Sequence, residues 1–362
     1  MKRATAILWN IIFVGIIVAI PISYVFFHGK LNSENTENRT LAEFPTTNTT
    51  SWDKIPQGIS DYVDDHFPYK NQVVSVQGEF EYKILNTASD KDVIIGKNDW
   101  LFYKGENDNS YNQYKRMKNL SQEEKEIIAM NLNHMKDKVE SWDGRFVLFI
   151  VPNKSTIYPE FMPDNIGIMD NAFITDELVD FLNENTAIDV VYCKDALLRA
   201  KDQFGEDVNL YYKLDTHWNE LGAYVGMQPL FEMIDTNIVS VESISYEKDP
   251  YSSCDLAALL GVTSKYKSKD NGFIITNYID DFDIITEETD GLLEYSNSGK
   301  DPRKIMFLRD SFTLQMRRIL ADSFDYCYLQ HHNTFDEAQI EEVKPDIFVY
   351  ELCERRLDEL LY

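Results

Sequence analysis

Positive charge is in short supply in this chain. Of 362 residues, 35 are Lys or Arg and 61 are Asp or Glu, a formal net charge of −26. Gripping a phosphate backbone requires a cationic surface, so nucleic acid is excluded as a partner. The acidic excess by itself implies only a soluble, self-repelling surface. Cysteine is scarce as well. Cys193, Cys254, Cys327 and Cys353 form no Cys-x-x-Cys pair and have no His beside them at zinc-finger spacing. No zinc signature is therefore present, and isolated buried thiols are expected. Nothing in the sequence calls for a metal or a cofactor, and no internal repeat occurs. Apolar residues are not lacking: they make up 44% of the chain and aromatics 13%, enough for a sizeable packed core.

The one long hydrophobic run is N-terminal. Residues 4–27 are almost uninterruptedly apolar and follow Lys2 and Arg3. About 20 residues at a rise of about 1.5 Å each cross a hydrocarbon core of roughly 30 Å. The run is longer than the apolar region of a cleavable signal peptide and is followed by no convincing A-x-A-like site, so an uncleaved signal anchor is expected. The positive-inside rule keeps Lys2 and Arg3 in the cytoplasm and puts the chain beyond about residue 28 outside. The expected localisation is the cell membrane, single-pass, with the bulk of the chain extracytoplasmic.

Three regions follow from this reading: a cytoplasmic tip and anchor over 1–27, a polar stalk or docking segment over 28–57, and one large domain over 58–362. Within that domain, residues 58–86 show helical spacing broken by DDHFP (64–68), and VIIGKNDWLFY (93–103) reads as a hairpin. Ser121 with Glu124 has capping-box spacing and opens a helix. From Arg145 onward, apolar strands alternate with helical stretches. FVLFIV (146–151), AIDVVY (187–192), KIMFL (304–308), DYCYL (325–329) and DIFVYEL (346–352) are the strands, with helices over about 173–185, 219–234 and 335–343. Such alternation implies crossover connections and a mainly parallel sheet covered by helices, an α/β fold. The acidic, Ser/Asn-rich stretch 240–300 is expected to be an insertion.

Two short motifs carry residues able to do chemistry. Ser311 stands where an apolar strand turns into a helix, at the strand end that forms the crevice of an open α/β sheet. A serine there can attack a carbonyl while backbone N–H groups receive the oxyanion; equally, Asp310 or Ser311 can simply cap the helix. Asp215 and His217, in LDTHW (214–218), are two residues apart, so in extended backbone their side chains point the same way. That is the pairing a base and its orienting carboxylate need, though a loop histidine beside a helix cap has the same spelling. His66 and the His331-His332 pair read as structural.

LDTHWNELGAY (214–224) followed much later by FLRDSFT (307–313) resembles the SGNH-hydrolase-like proteins of the alginate O-acetyltransferase group, together with the DHHW-type relatives of Gram-positive bacteria. ENRTLAEFP (37–45), DDHFPYKNQ (64–72), GKNDWLFY (96–103), VPNKSTIYPE (151–160) and KPDIFVYELCERRL (344–357) extend the resemblance, in order, to the C-terminus. It implies a three-layer SGNH-like domain in which Ser311 is the nucleophile, His217 the base and Asp215 its orienting acid. The triad order is permuted, because ordinary SGNH esterases place the serine first and the Asp/His pair last.

The final strand resembles the one that leads into a Gly-x-Asn signature in those esterases, with Cys353 at the Gly position and Arg355 at the Asn position. Arg309-Asp310-Ser311 stands where Gly-Asp-Ser is usual, and the oxyanion Asn has no clear counterpart. Candidate oxyanion or substrate contacts are the Ser311 backbone N–H, Arg309, Arg355, Lys154 and Trp218. The activity implied is O-acetylation of a cell-envelope or secreted polysaccharide, with a membrane-bound O-acyltransferase partner supplying acetyl groups. An acetyl esterase of the same fold and a non-catalytic polysaccharide-assembly protein are the alternatives.

Overall fold

Strand formation follows the apolar runs closely. The structure, a computed structural model, describes residues 2–27, 41–46, 51–67, 69–82, 88, 90–105, 110–249, 254–270, 272–276 and 282–362. Much of the polar segment read as a stalk, 28–40 and 47–50, lies outside the described residues. The strands are β1 (Val93–Ile95), β2 (Leu101–Tyr103), β3 (Arg145–Val151), β4 (Asp189–Tyr192), β5 (Tyr246–Lys248), β6 (Phe273–Ile275), β7 (Asp283–Thr289), β8 (Leu292–Ser296), β9 (Asp301–Arg309), β10 (Phe324–His331) and β11 (Ile347–Cys353). β1 and β2 form the expected hairpin, and β5 pairs with β6. The expected capping box is also present, Ser121 and Glu124 exchanging bonds at the start of the helix Gln122–Glu140.

A seven-stranded sheet has the order β4-β3-β11-β9-β10-β8-β7. β4, β3, β11, β9 and β10 run parallel to one another, whereas β8 pairs antiparallel with β10 and with β7. The expectation of a mainly parallel sheet holds for those five strands, and the β7–β8 edge makes the whole sheet mixed. The cause is local. Asp290 and Gly291, both at positive φ, join β7 to β8, and a two-residue Asp-Gly turn suits only an antiparallel hairpin.

The period-2 alternation of the buried strands separates two cores, as a sheet covered on both faces requires. Val147, Phe149, Ile305, Phe307, Ile347 and Val349 face one, packed with Leu197, Leu230 and Ile319 from helices Lys194–Phe204, Glu220–Met233 and Arg317–Ser323. Phe146, Leu148, Met306, Leu308, Phe348 and Tyr350 face the other, with Leu132, Leu178 and Ile340 from helices Gln122–Glu140, Ile174–Asn185 and Ala338–Val343. The result is three layers. All four cysteines are buried thiols.

Two compact units divide the chain. This sheet belongs to residues 91–256 with 265–362, and the other unit comprises 1–90 with 257–264. In the smaller unit His66 of the DDHFP motif is the C-cap of the helix Ile55–Asp65, and Pro68 lies outside the described residues. His66 stacks on Tyr62 at 4.0 Å and caps with its N–H on the Tyr62 carbonyl, and Asp65 accepts the Ala42 N–H at 2.7 Å. The expected anchor segment is one helix, Lys2–Phe27, with Ile7, Trp9, Phe13 and Phe26 exposed. Among the described residues, however, no helix is long and apolar enough to cross a membrane.

Candidate active site

Three adjacent parallel strands deliver residues to one edge of the sheet. β3 ends at Val151 and continues into Asn153 and Lys154, β11 ends at Cys353 before Glu354 and Arg355, and β9 ends at Arg309 before Asp310 and Ser311. The C-terminal edge of a parallel sheet is where the fold opens a crevice. The remaining pieces, Asp215 and His217, come from the loop that precedes helix Glu220–Met233.

Ser311 is presented by a turn whose hydrogen bonds are made by its neighbours. The Asp310 carboxylate accepts the Phe312 N–H at 2.7 Å and the Cys353 N–H at 2.8 Å. Asp310 thus caps the turn, which leaves the Ser311 hydroxyl for other work. Beneath it, Glu351 accepts the Asp310 N–H at 3.0 Å and the Thr313 hydroxyl at 2.7 Å. Burial, reinforced by the Asp310 charge, pushes the Glu351 carboxyl well above the usual range. Glu351 therefore holds its proton beside Asp310, since two adjacent buried carboxyls cannot both ionise.

The loop holding Asp215 and His217 is pinned differently. Tyr211 bridges to Trp218, and the Tyr212 N–H reaches the His217 carbonyl at 3.2 Å, closing a tight turn. Asn219 caps the following helix by accepting the Gly222 N–H at 2.9 Å. Into the turn runs Lys154, buried beneath it. Its ammonium donates to the carbonyls of Tyr212 (3.0 Å), Lys213 (3.1 Å) and Asp215 (2.6 Å) and lies over the Trp100 and Phe102 rings. Burial pulls this ammonium down to about 8, against the charges of Asp270, Asp255 and Asp215. The Trp218 indole N–H donates to the Phe312 carbonyl at 2.9 Å, tying the loop to the Ser311 turn.

These two halves meet in one hydrogen-bond chain. The Ser311 hydroxyl donates to His217 Nε2 at 2.7 Å, and Nδ1–H donates to Asp215 Oδ1 at 2.7 Å, the tautomer being the one this network requires. Asp215 is almost completely buried and also accepts the backbone N–H groups of His217 (3.0 Å) and Asp255 (3.1 Å). Burial lowers the His217 pKa, but the charge and hydrogen bond of Asp215, helped by Asp255, outweigh it and leave the imidazole above its ordinary value. The arrangement can deprotonate a serine and stabilise the imidazolium that forms.

The other candidates take different places. Arg355 donates to Asn153 Oδ1 at 3.2 Å and lies 5.2 Å over the ring of Phe312, the residue after Ser311. With Asn153, Lys154, Thr216, Phe102 and Tyr103 it lines a small cleft. Arg309 is not there: its buried guanidinium reaches Glu288 (3.1 Å) and the Gly291 carbonyl (3.1 Å), securing the β7–β8 hairpin. Lys154 and Trp218 spend their N–H groups on backbone carbonyls, so both hold the site's frame. His332 bonds the Arg309 carbonyl at 3.1 Å and contacts Arg356, as a structural residue does.

Sequence reasoning missed Asp255, whose carboxylate lies 3.7 Å from His217 Nδ1, and Glu351, whose one signal was a charged residue inside an apolar strand. Asp215, His217 and Asp255 have ligand-type atoms within 4.8 Å of one another. Both imidazole nitrogens are engaged, by Asp215 and by Ser311.

Residues 93–264 match the family described as SGNH hydrolase-like domain, acetyltransferase AlgX. Two similar relatives are both named probable alginate O-acetylase AlgJ. The one from Pseudomonas syringae pv. tomato is 27% identical over 232 residues, covering 64% of this chain and 52% of the relative. The one from Pseudomonas putida is 25% identical over 235 residues, covering 65% and 54%. The chain spans about half the length of these curated relatives. Bacillus cereus PatB1, solved with a sulfonyl adduct, shares the fold at 12% identity and a TM-score of 0.50, covering 73% of this chain and 97% of that one. The resemblance carried by the sequence motifs is thus borne out: the chain has an SGNH hydrolase-like α/β domain similar to those of the alginate O-acetyltransferase group.

Proposed function

We propose that this chain is a serine O-acetyltransferase that moves acetyl groups onto hydroxyls of a cell-envelope or secreted polysaccharide. The observation that carries the reading is the continuous bond chain from Ser311 through His217 to Asp215. The relatives named alginate O-acetylases support the substrate class. In the first half-reaction, His217 Nε2 takes the Ser311 proton as Oγ bonds to the acetyl carbonyl carbon. The tetrahedral intermediate then expels the donor's oxygen, which leaves with that proton. In the second, His217 deprotonates a sugar hydroxyl, the alkoxide attacks acetyl-Ser311, and Ser311 departs with the proton restored.

The developing oxyanion is received by the Ser311 backbone N–H and by Arg355, which Asn153 holds beside Phe312. Removing a single oxyanion donor typically costs about 10²–10³ in rate. Arg355→Ala is therefore expected to lower turnover by about that factor.

The location belongs to the same proposal. Lys2 and Arg3 ahead of an apolar stretch support a catalytic unit outside the membrane, where a membrane-bound O-acyltransferase partner would supply acetyl groups. Extraction of cell membranes with alkaline carbonate, and protease shaving of intact cells, test that placement. A chain released by carbonate, or sheltered from protease, contradicts it.

For the activity, the full chain is incubated with p-nitrophenyl acetate, with and without an oligosaccharide. Acetylated sugar supports transfer. Acetate released at the same rate whether or not sugar is present makes the protein an esterase. Turnover unchanged by Ser311→Ala sinks the triad.

A further inference from the structure

His217 faces two carboxylates. Asp215 holds Nδ1 at 2.7 Å; Asp255 Oδ2 stands 3.7 Å from the same nitrogen. Thr216 fills the gap, its hydroxyl 3.2 Å from Nδ1 and bonded on its other side to Asp255. Asp255 Oδ1 also accepts the Thr216 N–H at 2.8 Å and the Leu256 N–H at 2.6 Å, so the carboxylate has a fixed position. The backbone N–H of Asp255 donates to Asp215 Oδ2 at 3.1 Å, so one residue braces the orienting acid with its main chain and faces the base with its side chain.

Resting on the reading of Ser311, His217 and Asp215 given above, we infer that Asp255 is a positioning residue that acts through His217. It supplies a second negative charge that stabilises the imidazolium and, through Thr216, holds the ring against Asp215.

Other charges around the ring do not substitute for it. Arg355 faces His217 and opposes protonation. Lys154 feels Asp215, Asp255 and Asp270, but its ammonium is spent on the carbonyls of residues 212, 213 and 215. Asp270 is turned towards the Lys213 N–H. Burial, followed by the charge of Asp215, raises the Asp255 carboxyl, so the two acids titrate as neighbours sharing one cation.

A charge this close, partly screened by solvent, keeps His217 protonated to higher pH, where the protonated ring cannot act as base. Removing the charge must therefore move the acid limb of the activity profile to lower pH. Asp255→Asn is nearly isosteric and keeps the backbone N–H to Asp215, so charge is separated from scaffold.

The test is the pH dependence of p-nitrophenyl acetate turnover by the full chain, comparing wild type, Asp255→Asn, Asp255→Glu, Asp255→Ser, Asp215→Asn, the double variant Asp215→Asn with Asp255→Asn, and Ser311→Ala. The acid-limb midpoint should fall by about half a pH unit or more in Asp255→Asn and Asp255→Ser and stay near wild type in Asp255→Glu. The double variant should turn over at least about tenfold more slowly than Asp215→Asn alone. Midpoints that ignore the charge at 255, together with a double variant no slower than Asp215→Asn and an inactive Ser311→Ala, overturn this inference alone. A fully active Ser311→Ala overturns the triad reading beneath it.

Discussion

The two halves of the site are held by opposite means. The serine half grows out of the sheet: Ser311 stands two residues past the end of β9, and its turn is fixed by Asp310, which follows the buried C-terminal half of β9, and by Glu351 in the fully buried β11. The histidine half has no regular structure of its own. Asp215 and His217 ride a loop whose carbonyls are gathered by the buried Lys154 ammonium and whose far side is tied by Trp218. Rigid elements position catalytic groups better than loops do. A loop can match them only when its polar backbone groups are satisfied from inside, and here one lysine satisfies three of them.

The comparison breaks most completely if the halves are disconnected. His217→Ala removes the proposed base and should lower acetyl-ester turnover by about 10³-fold or more while leaving the melting curve nearly unchanged. Next comes the pin. Lys154→Met strands three carbonyls, with an expected loss of about 10²-fold in turnover and about 3 kcal/mol in urea-unfolding stability. Loss of stability with full activity would show that the loop does not need its pin. Trp218→Phe keeps the ring and drops one bond, so about 1 kcal/mol and a few-fold in rate are expected.

The smallest effect sharpens the nucleophile side. Glu351→Gln imitates the protonated carboxyl and should leave rate and stability within about 0.5 kcal/mol of wild type, whereas Glu351→Ala deprives Asp310 N–H and Thr313 of their acceptor at a cost of about 2 kcal/mol. A Gln variant as damaged as the Ala variant would mean that Glu351 carries charge. In wild type, the raised His217 pKa puts the acid limb of turnover above the ordinary imidazole value of 6.5. Activity is lost as pH falls through that limb, and a plateau extending well below 6.5 would contradict the arrangement.

The same contrast explains what could be read from the chain. Strands β3, β9 and β11 are short apolar runs between polar ends, a signal set by local chemistry, and Ser311 was legible because it ends one of them. Asp215 and His217 were expected to share a side through extended backbone; they do meet, but through a turn closed by Tyr212 N–H and His217 carbonyl. The function of Lys154 was hidden because its partners are main-chain carbonyls, which no residue name betrays. Asp255 was hidden because it lies 40 residues beyond Asp215 in a stretch without periodicity. The antiparallel edge had a signal that went unread, the Asp290-Gly291 pair between β7 and β8. Arg309 looked like an oxyanion candidate by adjacency alone, whereas its side chain turns to that hairpin.

The most direct measurement asks which atom is acylated. The full chain is treated with a sulfonyl fluoride, digested and analysed by mass spectrometry, alongside Ser311→Ala and His217→Ala. A single adduct on the peptide containing Ser311, abolished by Ser311→Ala and slowed by at least about 10²-fold in His217→Ala, is the predicted result. An adduct on another residue, or labelling of Ser311 that is indifferent to His217, contradicts the central claim that these two residues act together.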